Sequence, residues 1–138
     1  MIRHMVVDMA RYGGNTPATD DAAWEKIAVA IDELKGNHVK YVVAESADGG
    51  PIGVAGAELT TLGGAFAPKK TLHISVVYVL PRLRHGGIGG RLIAKLLDWG
   101  RAAGCELCDL DVLSGNPARS LYERCGFSVS EVKMVRSL

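Results

Sequence analysis

The sequence predicts a mixed α/β fold built from an antiparallel hairpin followed by a strand–helix–strand unit. Three observations carry this. Two runs rich in β-branched and aromatic residues, Val39–Glu45 and Ile52 to about Thr61, flank the turn Asp48-Gly49-Gly50-Pro51, which is the pattern of a hairpin. A third run, Thr71–Leu80, leads through a cluster of glycines into an apolar helical stripe and then a short strand, Leu107–Val112. A strand–helix–strand unit of about 40 residues brings its two strands together in parallel, with a right-handed crossover.

The elements follow in order. Ile2–Val7 reads as a short strand or the start of a helix, and Gly13-Gly14-Asn15-Thr16-Pro17 is loop chemistry. Asp20 and Asp21 are N-cap candidates for a helix through about Leu34, with Trp24, Ile27, Ala28, Ile31 and Leu34 as its apolar stripe. Gly36-Asn37 stops it. After the hairpin, Leu62–Lys70 is a glycine-containing loop, and Pro81 ends the following strand because proline cannot donate to a ladder. Leu92, Ile93, Leu96 and Leu97 share one face of a helix through about Ala103, which Gly104 closes. Asn116 and Pro117 open a last helix as N-cap and first helical residue. Gly126 ends it, and Phe127–Val135 reads as a terminal strand. No linker or repeat divides the chain, so residues 1–138 are expected to form a single domain.

The bulk properties narrow the function classes. A chain of 138 residues buries roughly 68–70% of its unfolded surface, enough for a core without staples. With 48% hydrophobic and 22% charged residues and a net charge of +1, neither a nucleic-acid surface nor a polybasic membrane anchor is expected. No apolar run approaches the roughly 20 residues that span a bilayer. Met1–Asp8 lacks the apolar core of a secretory signal, and three cysteines make an odd count that argues for a reducing compartment. A cytoplasmic location is the expectation. Cys105 and Cys108 form a lone Cys-x-x-Cys without a second ligand pair at zinc spacing, so no metal is expected. Burial as small hydrophobes is the expectation for both.

The chemistry concentrates at Arg84-His85-Gly86-Gly87-Ile88-Gly89-Gly90, between a strand end and a helix start. Glycine there permits positive φ and lets a ligand approach the main chain. Successive N–H groups then converge at the positive end of the helix dipole, a site suited to a pyrophosphate. Arg84, with Arg91 behind it, would add charge-assisted hydrogen bonds. A Walker loop is excluded, because Gly90 is followed by Arg91 and Leu92 rather than Lys-Ser/Thr. A dinucleotide fingerprint starting at Gly87 would put Leu92 where the third glycine belongs, although Asp109 and Asp111 lie at the right distance. Too little chain follows for that fold.

These residues resemble the GNAT N-acetyltransferase superfamily. Its Val-x-Pro-x-x-Arg-x-x-Gly-x-Gly segment reads here Val79-Leu80-Pro81-Arg82-Leu83-Arg84-His85-Gly86-Gly87-Ile88-Gly89, with His85 where glycine is commoner. Its second signature, Asn-x-x-Ala/Ser-x-x-Leu-Tyr-x-x-x-Gly-Phe, matches Asn116–Phe127. The resemblance runs from roughly Leu72 to the C-terminus. It implies a mostly antiparallel central sheet with a parallel, splayed pair in the middle, flanked by helices. It also implies acetyl-CoA as acetyl donor and an amine as acceptor, with a homodimer by family habit. Val77, Tyr78 and Val79 would pair with the pantetheine arm like an added strand. The amides from Arg84 to Gly90 would hold the pyrophosphate, Asn116 would touch the cofactor near the splay, and Tyr122 would face its sulfur.

An amine attacking a thioester must be neutral, the carbonyl oxygen must be stabilised as it gains charge, and the leaving thiolate must be protonated. Tyr122 is the expected proton donor. Its other role is that of a core tyrosine, in one stripe with Ala118, Leu121 and Cys125. A backbone N–H near Val79 is the expected oxyanion stabiliser. For the general base two residues stand, His73 and Glu58 on the strand before it; His73 would share a strand face with Ser75. An acyl-CoA-binding domain without chemistry is the competing reading, and the retained Tyr122 favours the enzyme.

Overall fold

The computed structural model describes residues 38–62, 65 and 67–138. The expectations for Ile2–Val7, the loop at 13–17, the helix from Asp20 or Asp21 to Leu34 and the stop at Gly36-Asn37 lie outside the described residues.

Strands β1 (Val39–Glu45), β2 (Pro51–Leu62), β3 (Lys69–Val79) and β4 (Leu107–Leu110) form one sheet in that order. β1 and β2 make the expected antiparallel hairpin. Its turn closes where the Ser46 N–H donates to the Gly50 carbonyl at 2.8 Å and Gly49 takes φ 85°. The Asp48 carboxylate accepts from the Ser46 hydroxyl, which holds that carboxyl below its ordinary range, with the Gly50 amide adding to the effect. β2 and β3 are antiparallel from Leu62↔Lys69 to Gly53↔Val79. β3 and β4 are parallel, as the crossover required. A short 3₁₀ turn, Pro81–Leu83, and then helix α1 (Ile88–Ala102) join them; helix α2 (Arg119–Arg124) follows β4.

The core lies between the sheet and α1. Leu92, Ile93 and Leu96 are buried on the helix, and Ala55, Ala57, Leu72, Ile74 and Val79 are buried beneath them. Burying each large aliphatic side chain contributes about 1.5–3 kcal/mol. The small residues set how closely the layers approach. A Cβ on Gly100 of α1 would stand 2.8 Å from Leu72 Cδ2, and one on Gly53 of β2 would stand 3.2 Å from Leu92 Cδ1. Cys105, Cys108 and Cys125 border this core as free thiols. Burial, reinforced by the neighbouring Asp109 charge, pushes the Cys108 thiol up to about 12. Gly104, at φ 84°, ends α1 as expected.

Three expectations need correction. The segment Phe127–Val135 forms no strand, and Val129, Val132, Met134 and Val135 are exposed. Strand-forming residues record a local preference, while a strand exists only when an edge pairs with it. The last helix begins at Arg119 rather than at Pro117. Asn116 Oδ1 accepts the Ala118 N–H at 2.9 Å, and the Asn116 carbonyl accepts the Arg119 N–H at 3.1 Å, so a tighter turn precedes the regular helix. The strand after α1 stops at Leu110, two residues before the expected Val112.

Candidate functional site

The sheet forks in the middle of β3. β4 pairs with β3 only from Thr71↔Leu107 to Ile74↔Leu110. The next residue, Ser75, has no partner on β2, because Ala57 faces Ile74 and Gly56 faces Val76. Ser75 is therefore the extra residue of a β-bulge, which bends the strand and re-aims its side chains. The side chains show the shift. Leu72 and Ile74 enter the core at even positions; beyond the bulge Val77 and Val79 do so at odd ones. The strict alternation that put His73 and Ser75 on one face does not run through this point. Ser75 Oγ instead donates to the Gly56 carbonyl at 3.2 Å. From Val76 to Val79 the β4-side edge of β3 has no strand partner among the described residues.

The loop between β3 and α1 sits at the end of that open edge. His85 and Gly87 both take the left-handed conformation, with φ 67° and 83°. Gly87 occupies the N-cap position of α1, with no side chain capping the helix. The first intrahelical acceptor on this loop is the Gly87 carbonyl, taken by Arg91 N–H at 3.1 Å. The N–H groups of His85, Gly86, Gly87, Ile88, Gly89 and Gly90 have no acceptor among the described residues. Such a run of donors, at the positive end of a helix dipole, is an arrangement suited to an anion.

The loop residues also make contacts outside this concavity. The Arg84 amide donates to the Pro81 carbonyl at 3.3 Å, which removes it from the expected run of donors. Arg84 Nε donates to the Val79 carbonyl at 2.9 Å, and its guanidinium lies 5.3 Å over the Tyr78 ring. Arg84 thus ties the loop to the end of β3. Gly89 is a packing residue, since a Cβ there would stand 2.9 Å from Leu121 Cδ2 on α2. Ile88 points inward toward Gly53. Gly86, Gly87 and His85 face solvent.

Tyr122 lies on α2 beside Leu121, which packs against Gly89 of the loop. Its ring packs against the core and meets Phe127 edge-on, with centroids 6.2 Å apart at 71°. Burial, then the neighbouring Cys125, raises its phenol above the ordinary value, so it stays protonated through the neutral range. Both of its expected roles, core tyrosine and proton donor, are compatible with this placement. Asn116 is half-buried in the turn before α2, with its carbonyl oxygen committed to Ala118.

On the other face of the sheet, Glu58, His73 and Asp109 form one row across β2, β3 and β4, in register as Glu58↔His73 and His73↔Asp109. Their neighbours Ala57, Leu59, Leu72, Ile74, Cys108 and Leu110 all turn toward the α1 side. His73 Nδ1 lies 2.8 Å from Asp109 Oδ1. The sequence nominated His73 and Glu58 as candidate bases and gave Asp109 no part beside them. The crossover implied that the two strands run parallel, but the register that sets Asp109 opposite His73 comes from the structure. No group of side chains suited to a metal ion occurs among the described residues, and no described helix is long and apolar enough to cross a membrane.

Solved structures share this architecture. A tetramutant protein from Bacillus halodurans is 20% identical with a TM-score of 0.78, the alignment covering 99% of this chain and 90% of that one. The aminoglycoside N-acetyltransferase AAC(6')-Iy, solved with CoA, is 25% identical with a TM-score of 0.67, covering 83% and 87%. Glucosamine-6-phosphate N-acetyltransferase from Arabidopsis thaliana is 22% identical with a TM-score of 0.67, covering 89% and 82%. No curated protein matches the sequence. The acetyltransferase (GNAT) family matches residues 3–127. With the fork, the amide-lined loop and that match over most of its length, the chain belongs to the GNAT acetyltransferase family.

Proposed function

We propose that the chain transfers the acetyl group of acetyl-CoA to a primary amine by direct attack of the amine on the thioester. The observation that carries this is the meeting of two unsatisfied backbone features at one end of β3. A strand edge at Val76–Val79 without a strand partner among the described residues leads straight to a loop whose amides from His85 to Gly90 lack acceptors among those residues. An extended pantetheine arm suits the first, through Val77, Tyr78 and Val79, and a pyrophosphate suits the second. The CoA-bound aminoglycoside enzyme and the glucosamine-6-phosphate enzyme, both named for amine-bearing acceptors, support the same class of reaction.

In this reading each residue has a defined task. The loop amides from His85 to Gly90, with the Arg84 charge beside them, hold the phosphates. A backbone N–H near Val79 stabilises charge on the thioester oxygen. Tyr122, protonated in its buried setting, gives its proton to the departing sulfur. His73 or Glu58, from the opposite face, receives the proton of the amine. Asn116 holds the turn beneath the cofactor. The rest of the rate comes from positioning.

Thiol release from acetyl-CoA, screened against aminoglycosides, amino sugars, polyamines and peptide amines, tests the proposal. Release with at least one amine is expected; CoA binding without release from any amine would establish the non-catalytic reading instead. Gly87→Val tests the loop separately. A β-branched residue at φ 83° reshapes the turn, so CoA affinity by calorimetry should fall at least about 10-fold, roughly 1.4 kcal/mol. Unchanged affinity would place the phosphates elsewhere.

A further inference from the structure

We infer that Asp109 is the positioning residue of the general base, holding the His73 imidazole in the one tautomer that can take a proton from the acceptor amine. The inference rests on the proposed acetyl transfer and decides between its two candidate bases. Asp109 and His73 are 36 residues apart and meet only through the parallel register of β3 and β4. Their contact is direct, 2.8 Å from Nδ1 to Oδ1. An ionised carboxylate can only accept, so in the neutral ring Nδ1 carries the hydrogen and Nε2 keeps the lone pair. That leaves the basic nitrogen at the ring's far end. Glu58 lies beside His73 on the other flank in the ladder, but no hydrogen bond within the described residues orients its carboxylate.

The position of the pair supports the role. His73–Asp109 is the last cross-strand pair but one before the strands part at Ile74↔Leu110. It projects from the face opposite α1, whereas Tyr122 packs on the α1 side. A thioester seated in the fork therefore has the base on one side and the acid on the other. The balance of the step follows. The amine nitrogen forms a bond to the acetyl carbon, and the carbon–sulfur bond breaks. His73 Nε2 takes a proton from the nitrogen, and the sulfur takes one from the Tyr122 hydroxyl. Solvent then returns a proton to the phenolate and removes one from the imidazolium. The pair is also partly open to solvent, with side-chain exposures of 28% for His73 and 44% for Asp109, which leaves an amine a way in.

Two measurements test this. Nitrogen-15 correlation spectra of the imidazole-labelled protein should show His73 protonated at Nδ1 in the wild type, and a shift toward the Nε2–H tautomer in Asp109→Ala. With a responsive amine, Asp109→Ala should lower kcat/KM for the amine at least about 10-fold, within the range of general-base catalysis. CoA affinity by calorimetry should stay unchanged, which also reports that the variant is folded. Because Asp109 acts through His73, the double variant with His73→Ala should be no slower than His73→Ala alone. Any of three results overturns the inference: an Nε2–H tautomer in the wild type, additive losses in the double variant, or full activity in His73→Ala. The last outcome would return the base to Glu58 and leave acetyl transfer intact. If no amine is acetylated, the transfer reading fails by itself, and the tautomer measurement still decides what Asp109 does to His73.

Discussion

Tyr122 shows how one side chain carries both a packing and a chemical assignment. The ring fills space against the core and meets Phe127 edge-on, an arrangement that needs no hydroxyl. The hydroxyl is the only group that Tyr122→Phe removes, so this substitution separates the two roles. It should lower kcat on the order of 10²-fold while leaving CoA affinity and the urea midpoint nearly unchanged. A steady-state comparison on any responsive amine, set beside calorimetry with CoA, checks this. Unaltered kcat would confine Tyr122 to packing. At the residue scale, side chains also carry tasks that the motif does not specify. Arg84, expected to serve the phosphates, also engages Val79 through its Nε and Tyr78 through the face of its guanidinium. Gly89, expected in the cradle, also makes room for Leu121. A motif names the residue type a position needs, but whether glycine is required for φ, for packing or for a ligand depends on what lies opposite.

Among the elements, α1 and β3 decide the geometry of the fork. α1 must lie close on the sheet for its N-terminal amides to stand at the end of β3, and Gly100 fixes that approach against Leu72. Gly100→Val would drive a branched side chain into Leu72, which is 1% exposed. A loss of about 1–3 kcal/mol is expected, read as a lower urea midpoint at constant m-value. A neutral result would mean that the helix can ride outward without cost. The strands and helices themselves were largely legible, since the β-branched runs and the stripe of Leu92, Ile93 and Leu96 carry their periods locally. The bulge at Ser75 was not. Nothing in Lys69–Val79 marks an extra residue, because the bulge exists only relative to the register of β2.

For the whole molecule, two described groups that the fold keeps protonated, Cys108 and Tyr122, make stability fall at alkaline pH. Cys108 ionises near 9 when unfolded but only at about 12 in the fold, because burial penalises the thiolate and Asp109 repels it. Below 9 both states hold the proton and the contribution is fully present. Between 9 and about 12 the unfolded state alone releases it, so stability falls as pH rises. Tyr122 adds a loss of the same sign above its ordinary value of 10. Urea midpoints should decline from pH 8.5 to pH 10.5, and Cys108→Ala should make that decline shallower. Equal slopes in both proteins would remove Cys108 as a source.

The sequence by itself determined the described strands of the sheet, the helix at Ile88–Ala102 and the glycine loop before it. These depend on φ preferences, hydrophobic periods and turn chemistry within a few residues of each position, as at Gly87 and Gly104. It also determined the family, since both signatures are contiguous. Only the tertiary structure decided the fork, the bulge that opens it, the alignment of Glu58, His73 and Asp109, and the unpaired course of Phe127–Val135. Each of those depends on which distant residues share a ladder. Register is chosen by the packing of all layers at once, so no local stretch of the chain records it.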